Sequence, residues 1–155
     1  MKILKSYEQL FENKKNTIYK SIKKRDINAL KFYIDNGGDV NIIDKSGYSL
    51  LDKIVTNTKK FMDFKLEAIQ LLLDAGININ YHTMTKPPII FYVNYINIKI
   101  IKVLIEYGVD WNITNHTGNM FLEFLDDDVK EELIKLYPEQ YKKYIIKKQS
   151  NRFNL

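Results

Sequence analysis

Residues 97–112 read Asn-Ile-Lys-Ile-Ile-Lys-Val-Leu-Ile-Glu-Tyr-Gly-Val-Asp-Trp-Asn, and two imperfect copies of this passage stand upstream of it. Ile98, Ile101, Leu104 and Ile105 fall at a spacing that places them on one face of a helix. Gly108 predicts the helix end, since a C-terminal stop usually needs a left-handed residue and glycine reaches that conformation without steric cost. The same ending, Leu/Ile-x-x-Gly-x-x-x-Asn, closes Ile34 to Asn41 and Leu73 to Asn80. The glycines Gly37, Gly76 and Gly108 are 39 and then 32 residues apart.

A recurrence near every 33 residues or so marks repeated supersecondary units, none of which can bury its apolar face alone. Stacking of neighbours is therefore predicted. Ser6 to Gln9 has the side chains of a capping box and predicts a short N-terminal helix carrying Leu10 and Phe11 inward. The first repeat begins with a helix over 17–24, and Asp26 caps a second that buries Ile27, Leu30, Tyr33 and Ile34. Asp44 to Gly47 is a turn composition, after which Ser49-Leu-Leu-Asp52 predicts a serine-capped helix. Residues 56–65 exceed the unit's needs and carry Phe61, Met62 and Phe64, either packed as a flap or exposed as an anchor. Leu66, Ile69, Leu72 and Leu73 follow at helical spacing, facing inward.

Lys86-Pro-Pro-Ile-Ile90 opens the next helix, Pro88 sitting where a first turn tolerates it. Asn115 to Gly118 is another turn. Val129, Leu133, Leu136 and Tyr137 then form a helix with an acidic start, which Pro138 ends or redirects. Residues 139–148 form one more amphipathic helix through Tyr141, Tyr144 and Ile145, with a frayed segment after it.

The chain resembles an ankyrin-repeat protein over roughly residues 16–138, on the strength of Gly37, Gly76 and Gly108, of Asn41, Asn80 and Asn112, of the turns 44–47 and 115–118, and of Pro87-Pro88. The resemblance implies an all-α ankyrin-repeat solenoid of stacked helix-turn-helix units with β-turn fingers and flanking terminal helices. We divide it as one domain: an N-terminal helix 1–15, repeat 1 or N-cap 16–43, repeat 2 with insertion 44–82, repeat 3 at 83–114, repeat 4 or C-cap 115–138, and a C-terminal helix and basic tail 139–155.

The chain of 155 residues is 45% hydrophobic, enough for a continuous core, and its lack of cysteine excludes disulfides, thiolate metal sites and cysteine nucleophiles. No run approaches the roughly 20 apolar residues of a membrane helix, and the N-terminal segment lacks an apolar signal core, so a cytoplasmic protein of the producing cell or of a host cell is predicted. Charge is uneven. Residues 1–31 hold nine Lys/Arg against Glu8, Glu12 and Asp26, whereas residues 121–132 hold Glu123, Asp126, Asp127, Asp128, Glu131 and Glu132 against Lys130.

The resemblance further implies a non-catalytic scaffold, without cofactor or metal, monomeric alone, that meets another protein in the concave face made by turn tips and first helices. Carried over by position, the turn-tip slots are Lys45, Ser46, Tyr48, Met84, Thr85, His116, Thr117 and Asn119; the inner-helix slots include Asn94, Tyr95, Asp126 and Asp127. Tyr48, Tyr95 and Met84 are the anchor candidates, and Trp111 is assigned to packing between repeats. His82 and His116 read as unrelated loop histidines, too few for a zinc site. The acidic run lacks the alternation and glycine of a calcium loop and reads as a solvated or steering surface. An immunity-type inhibitor of a toxin or defence enzyme, or a host-directed effector, fits such a small chain. The alternative is a nucleic-acid-associated factor using Lys142, Lys143, Lys147, Lys148 and Arg152 with the aromatic residues between them.

Overall fold

The helices that begin at Ile27, Leu50 and Ile98 start on capping side chains, and those that end at Arg25, Gly37, Gly76 and Gly108 stop at residues in a left-handed conformation. The computed structural model describes residues 17–56, 61–83, 86–92 and 97–153. The capping box at Ser6, most of the insertion's leading half, Met84, Thr85, Asn94 and Tyr95 lie outside the described residues. The chain comprises two compact units that part between Asn78 and Ile79.

In the first unit, residues 17–24 form helix α1, followed by α2 (Ile27–Asp35), α3 (Leu50–Thr56) and α4 (Met62–Asp74). Asp26 caps α2 by accepting the Ala29 N–H at 3.0 Å. Ser49 and Asp52 cap α3 reciprocally: Ser49 Oγ accepts the Asp52 N–H at 3.1 Å while Asp52 Oδ2 accepts the Ser49 N–H at 2.8 Å. This capping box satisfies two orphan donors with buried side chains, so the predicted serine cap has an aspartate partner as well. Leu50, Ile54, Val55, Ile69 and Leu72 are fully excluded from water, each burial stabilising by about 1.5–3 kcal/mol. α4 packs on both α3 and α2, and Lys31 reaches Glu67 at 2.7 Å across the latter contact.

In the second unit, a single 3-10 turn η1 (Ile89–Phe91) precedes α5 (Ile98–Glu106), a second such turn η2 (Phe121–Phe124), α6 (Asp127–Leu136) and α7 (Pro138–Phe153). Asn97 Oδ1 caps α5 on the Ile100 N–H at 3.1 Å. The buried face of α5 is Ile100, Ile101, Leu104 and Ile105, with Ile98 only half-buried. Pro138 redirects the chain as expected, but α7 runs on to Phe153 where fraying was predicted. Among the described residues there is no strand, only the isolated bridges Thr83 to Lys86 and Thr114 to Met120.

The three glycine endings share one geometry. Gly37, Gly76 and Gly108 have φ of 70°, 80° and 82°. At the last, the Gly108 N–H reaches Ile105 O and the Val109 N–H reaches Leu104 O, both at 3.0 Å. This pair of bonds satisfies carbonyls the helix leaves open. The asparagines that follow tie successive loops: Asn41 Oδ1 accepts the Asn78 N–H at 2.7 Å in the first unit, and Asn80 Oδ1 accepts the Asp110 N–H at 2.9 Å in the second. Asn112 has no such donor, since Tyr137-Pro138 leads into α7 where a further glycine loop would stand; its Oδ1 is buried unpartnered.

Candidate functional site

Two finger turns are built alike from different residues. In the first unit, Asp44 Oδ1 accepts the N–H groups of Ser46 at 2.8 Å and Tyr48 at 2.9 Å, while Gly47 takes φ of 80°. In the second, Asn115 Oδ1 accepts those of Thr117 at 2.9 Å and Asn119 at 3.0 Å, and Gly118 takes φ of 80°. The side-chain oxygen at the turn's first residue fixes the backbone in both cases. Lys45, Ser46, His116, Thr117 and Asn119 are accordingly exposed on these turns; in the second, the Thr117 hydroxyl donates to Asn115 Oδ1 at 2.7 Å and accepts from Asn119 Nδ2 at 3.3 Å.

Tyr48 is not the outward anchor expected of it. It is half-buried, with Lys53 Nζ 4.2 Å from its ring centroid and its carbonyl accepting the Tyr19 hydroxyl at 3.3 Å. Lys53 also pairs with Asp44 Oδ2 at 2.7 Å. Partial burial pushes the Asp44 carboxyl up, but the Lys53 ammonium and the amides of Tyr48 and Ser46 together outweigh it and hold it below the usual carboxylate range.

His82 and His116 both line one cleft of the second unit, with Thr83, Lys86, Pro87 and Asn115. Among the described residues its lining carries the Lys86 ammonium and no carboxylate. Among the described residues no group of three or more His, Cys, Asp or Glu lies close enough to share a metal ion.

Asp126 and Asp127 stand at the head of α6, not on the preceding helical segment where the repeat register placed them, because the first segment is only the short turn η2. The acidic run is partly neutralised. Glu123 pairs with Lys148 at 2.7 Å, Asp127 with Lys130 at 2.9 Å and Glu132 with Lys102 at 2.6 Å. In α7 the interleaved aromatic and basic residues are also divided, since Tyr144 is buried and stacks on Tyr141 while Lys142, Lys143 and Lys147 face solvent. Trp111 is 3% exposed and meets Phe121 edge-on at 5.4 Å, which makes it a packing residue as expected.

The sequence reading missed two features of the first unit. Lys65 is 1% exposed and donates to Val55 O at 2.7 Å, closing the last turn of α3; burial pulls its ammonium down from the usual lysine value. It takes an inward place in α4 that the apolar pattern gave to Leu66, which is half-buried.

The second feature is a stacked pair. Among the described residues, Arg25 (φ 58°) and Phe61 (φ 81°) are the two non-glycine residues with positive φ, and the Arg25 guanidinium lies 3.9 Å over the Phe61 ring. Arg25 ends α1 with the bonds a glycine makes elsewhere, its N–H on Ile22 O and the Asp26 N–H on Ser21 O, both at 3.0 Å. A left-handed conformation costs an L-residue about 1–2 kcal/mol, and an exposed cation–π contact returns about 0.5–1 kcal/mol. The pair therefore costs the fold more than it gives back. The available signals were an arginine where other helices carry glycine, and an insertion, 56–65, that carries Phe61.

Helix pairs ended by left-handed glycines, tied by asparagines and bearing finger turns define a class of helical repeat protein. No family model matches the chain. It is 29% identical over 112 residues to an ankyrin repeat protein of Acanthamoeba polyphaga mimivirus, covering 62% of this chain and 19% of that one. It is 29% identical over 121 residues to an ankyrin repeat protein of fowlpox virus, covering 76% of this chain and 20% of that one. The chain thus spans about a fifth of the length of these curated relatives. In structure it is similar to the ankyrin repeat domain of Bcl-3, a member of the IkappaB protein family, with a TM-score of 0.63 and 19% identity, covering 76% of this chain and 50% of that one. The chain has the all-α ankyrin-repeat fold predicted from its glycine and asparagine register, and its sequence is similar to those of ankyrin repeat proteins. No helix among the described residues is long and apolar enough to cross a membrane.

Proposed function

We propose that the chain is a non-catalytic module that binds another protein, presenting Lys45 and Ser46 on one finger and His116, Thr117 and Asn119 on the other. The observation that carries this reading is the self-sufficiency of the fingers: Asp44 and Asn115 hold the turn backbones from within, leaving the tips exposed on fixed supports. Preorganised tips lose little entropy on association, which is what a recognition surface requires. Ankyrin repeats in the viral relatives support the same assignment. A small module of this kind acts by occupying its partner, as an antagonist of a toxin or defence enzyme or as a host-directed effector in a cytoplasm.

The test is affinity capture from the native cell with the wild-type chain and with two finger variants, K45A/S46A and H116A/T117A/N119A. A partner retained by the wild type and lost by either folded variant supports the proposal. Equal recovery with all three removes the fingers from the interface, and turnover of a substrate by purified protein ends the non-catalytic reading.

A further inference from the structure

The described ion pairs use Lys31, Lys53, Lys102, Lys130 and Lys148; none uses Lys20, Lys23, Lys24 or Arg25, all of which are exposed on α1 and its end. Cations at a helix C-terminus favour its dipole, and a first repeat needs a solvated edge, so a bland account covers the lysines. It does not cover Arg25 and Phe61. Glycine would close α1 without strain, as it closes α2, α4 and α5, and nothing in the repeat requires an aromatic residue in a left-handed conformation before α4. Yet these two strained residues touch, and Phe61 remains 50% exposed. Strain that the fold does not need is kept where a surface is used.

The stack also has a chemistry. Arg25 is exposed and takes part in no described ion pair, and a guanidinium's planar fork of N–H donors is suited to taking a carboxylate through two bonds. Among the described residues, Asp26 holds the Ala29 N–H and Glu67 pairs with Lys31, while Asp63 sits exposed in the first turn of α4. Arg25 on a half-exposed aromatic ring, with Lys20, Lys23 and Lys24 exposed on the helix that Arg25 ends, complements acidic side chains next to an apolar one.

We propose that Arg25 and Phe61, flanked by Lys20, Lys23 and Lys24, form a docking surface for an acidic segment of a partner protein, with a carboxylate on the guanidinium and an apolar side chain on the ring. This rests on the protein-binding reading above and names the partner's chemistry. Charge brings the segment in and Arg25 fixes its register.

The probe is a fluorescein-labelled peptide of Glu-Glu-Leu triplets, followed by anisotropy at low salt against wild type, R25G, F61G and K20Q/K23Q/K24Q, with a single-stranded oligouridine RNA as competitor class. Binding weakens about fivefold or more in R25G and in F61G, while the thermal midpoint of R25G is unchanged or raised. The lysine variant loses most of the salt dependence. A purely structural stack predicts instead that R25G melts earlier and binds as before, and that result overturns the proposal. So does failure of the wild type to bind the peptide, or tighter binding of the RNA. If the native partner is lost with the finger variants but kept by R25G, this inference falls while the protein-binding reading stands; if the wild type captures no partner, the protein-binding reading itself falls.

Discussion

Three helices of this chain close on glycine and one closes on arginine, although the hydrogen bonds at the four ends are the same. At Gly108 a Cβ would meet nothing within 4 Å, so glycine is there for its φ of 82° alone. At Arg25 the chain accepts a similar φ of 58° with a long side chain and stacks it on Phe61. The difference separates positions chosen for folding from a position where folding has been compromised.

The sharpest way to break the comparison is to exchange the residues. G108V forces a β-branched side chain into a left-handed conformation and destabilises by about 1–3 kcal/mol in chemical denaturation, with no packing clash to blame. Next in size, N80A removes the acceptor of the Asp110 N–H and costs about 1–2 kcal/mol, whereas N112A, whose Oδ1 has no partner, is neutral within about 0.5 kcal/mol. Should N112A cost as much as N80A, the asparagine ties are not what holds the loops. S49A breaks the capping box of α3 and costs about 1 kcal/mol. R25G runs the other way, neutral to about 1 kcal/mol more stable, and an earlier melt would mean that the stack is structural.

The smallest effect concerns pH. The Asp44 carboxyl is held low in the folded chain, so it contributes stability that is present above the unfolded carboxylate pKa and is lost as pH falls through the folded value. D44N keeps the finger, as Asn115 does, and flattens that acid limb by about 0.2–1 kcal/mol, read from midpoints measured across the acid range. Lys65 acts at the other end of the scale: its lowered folded value means that stability rises with pH just below the ordinary lysine value, and K65M abolishes the rise.

Much of the fold was legible because it is written in residues with few alternatives. The glycine endings, the Asp26 cap, the turn at 115–118 and the packing role of Trp111 follow from local conformation or from size, and the structure has each. The α4 face was misread at Lys65 because a period of apolar residues cannot anticipate a lysine whose ammonium finds a helix's last carbonyls. The site was harder to read. Tyr48 occupies an outward slot by register, yet its ring lies beneath the Lys53 ammonium, a contact that depends on the turn's own salt bridge. The cleft shared by His82 and His116 joins residues from two loops, and the Arg25 stack joins an insertion to a helix end; neither has a signature at fixed spacing.

Asp44 and Asn115 have one more consequence. Since each turn is tied by its own first residue and its glycine, mutation at 45, 46 and 116 is nearly invisible to the folding equilibrium. Such positions can change without registering in the melting curve, so variants at these tips stay superimposable in stability whatever their surface chemistry becomes.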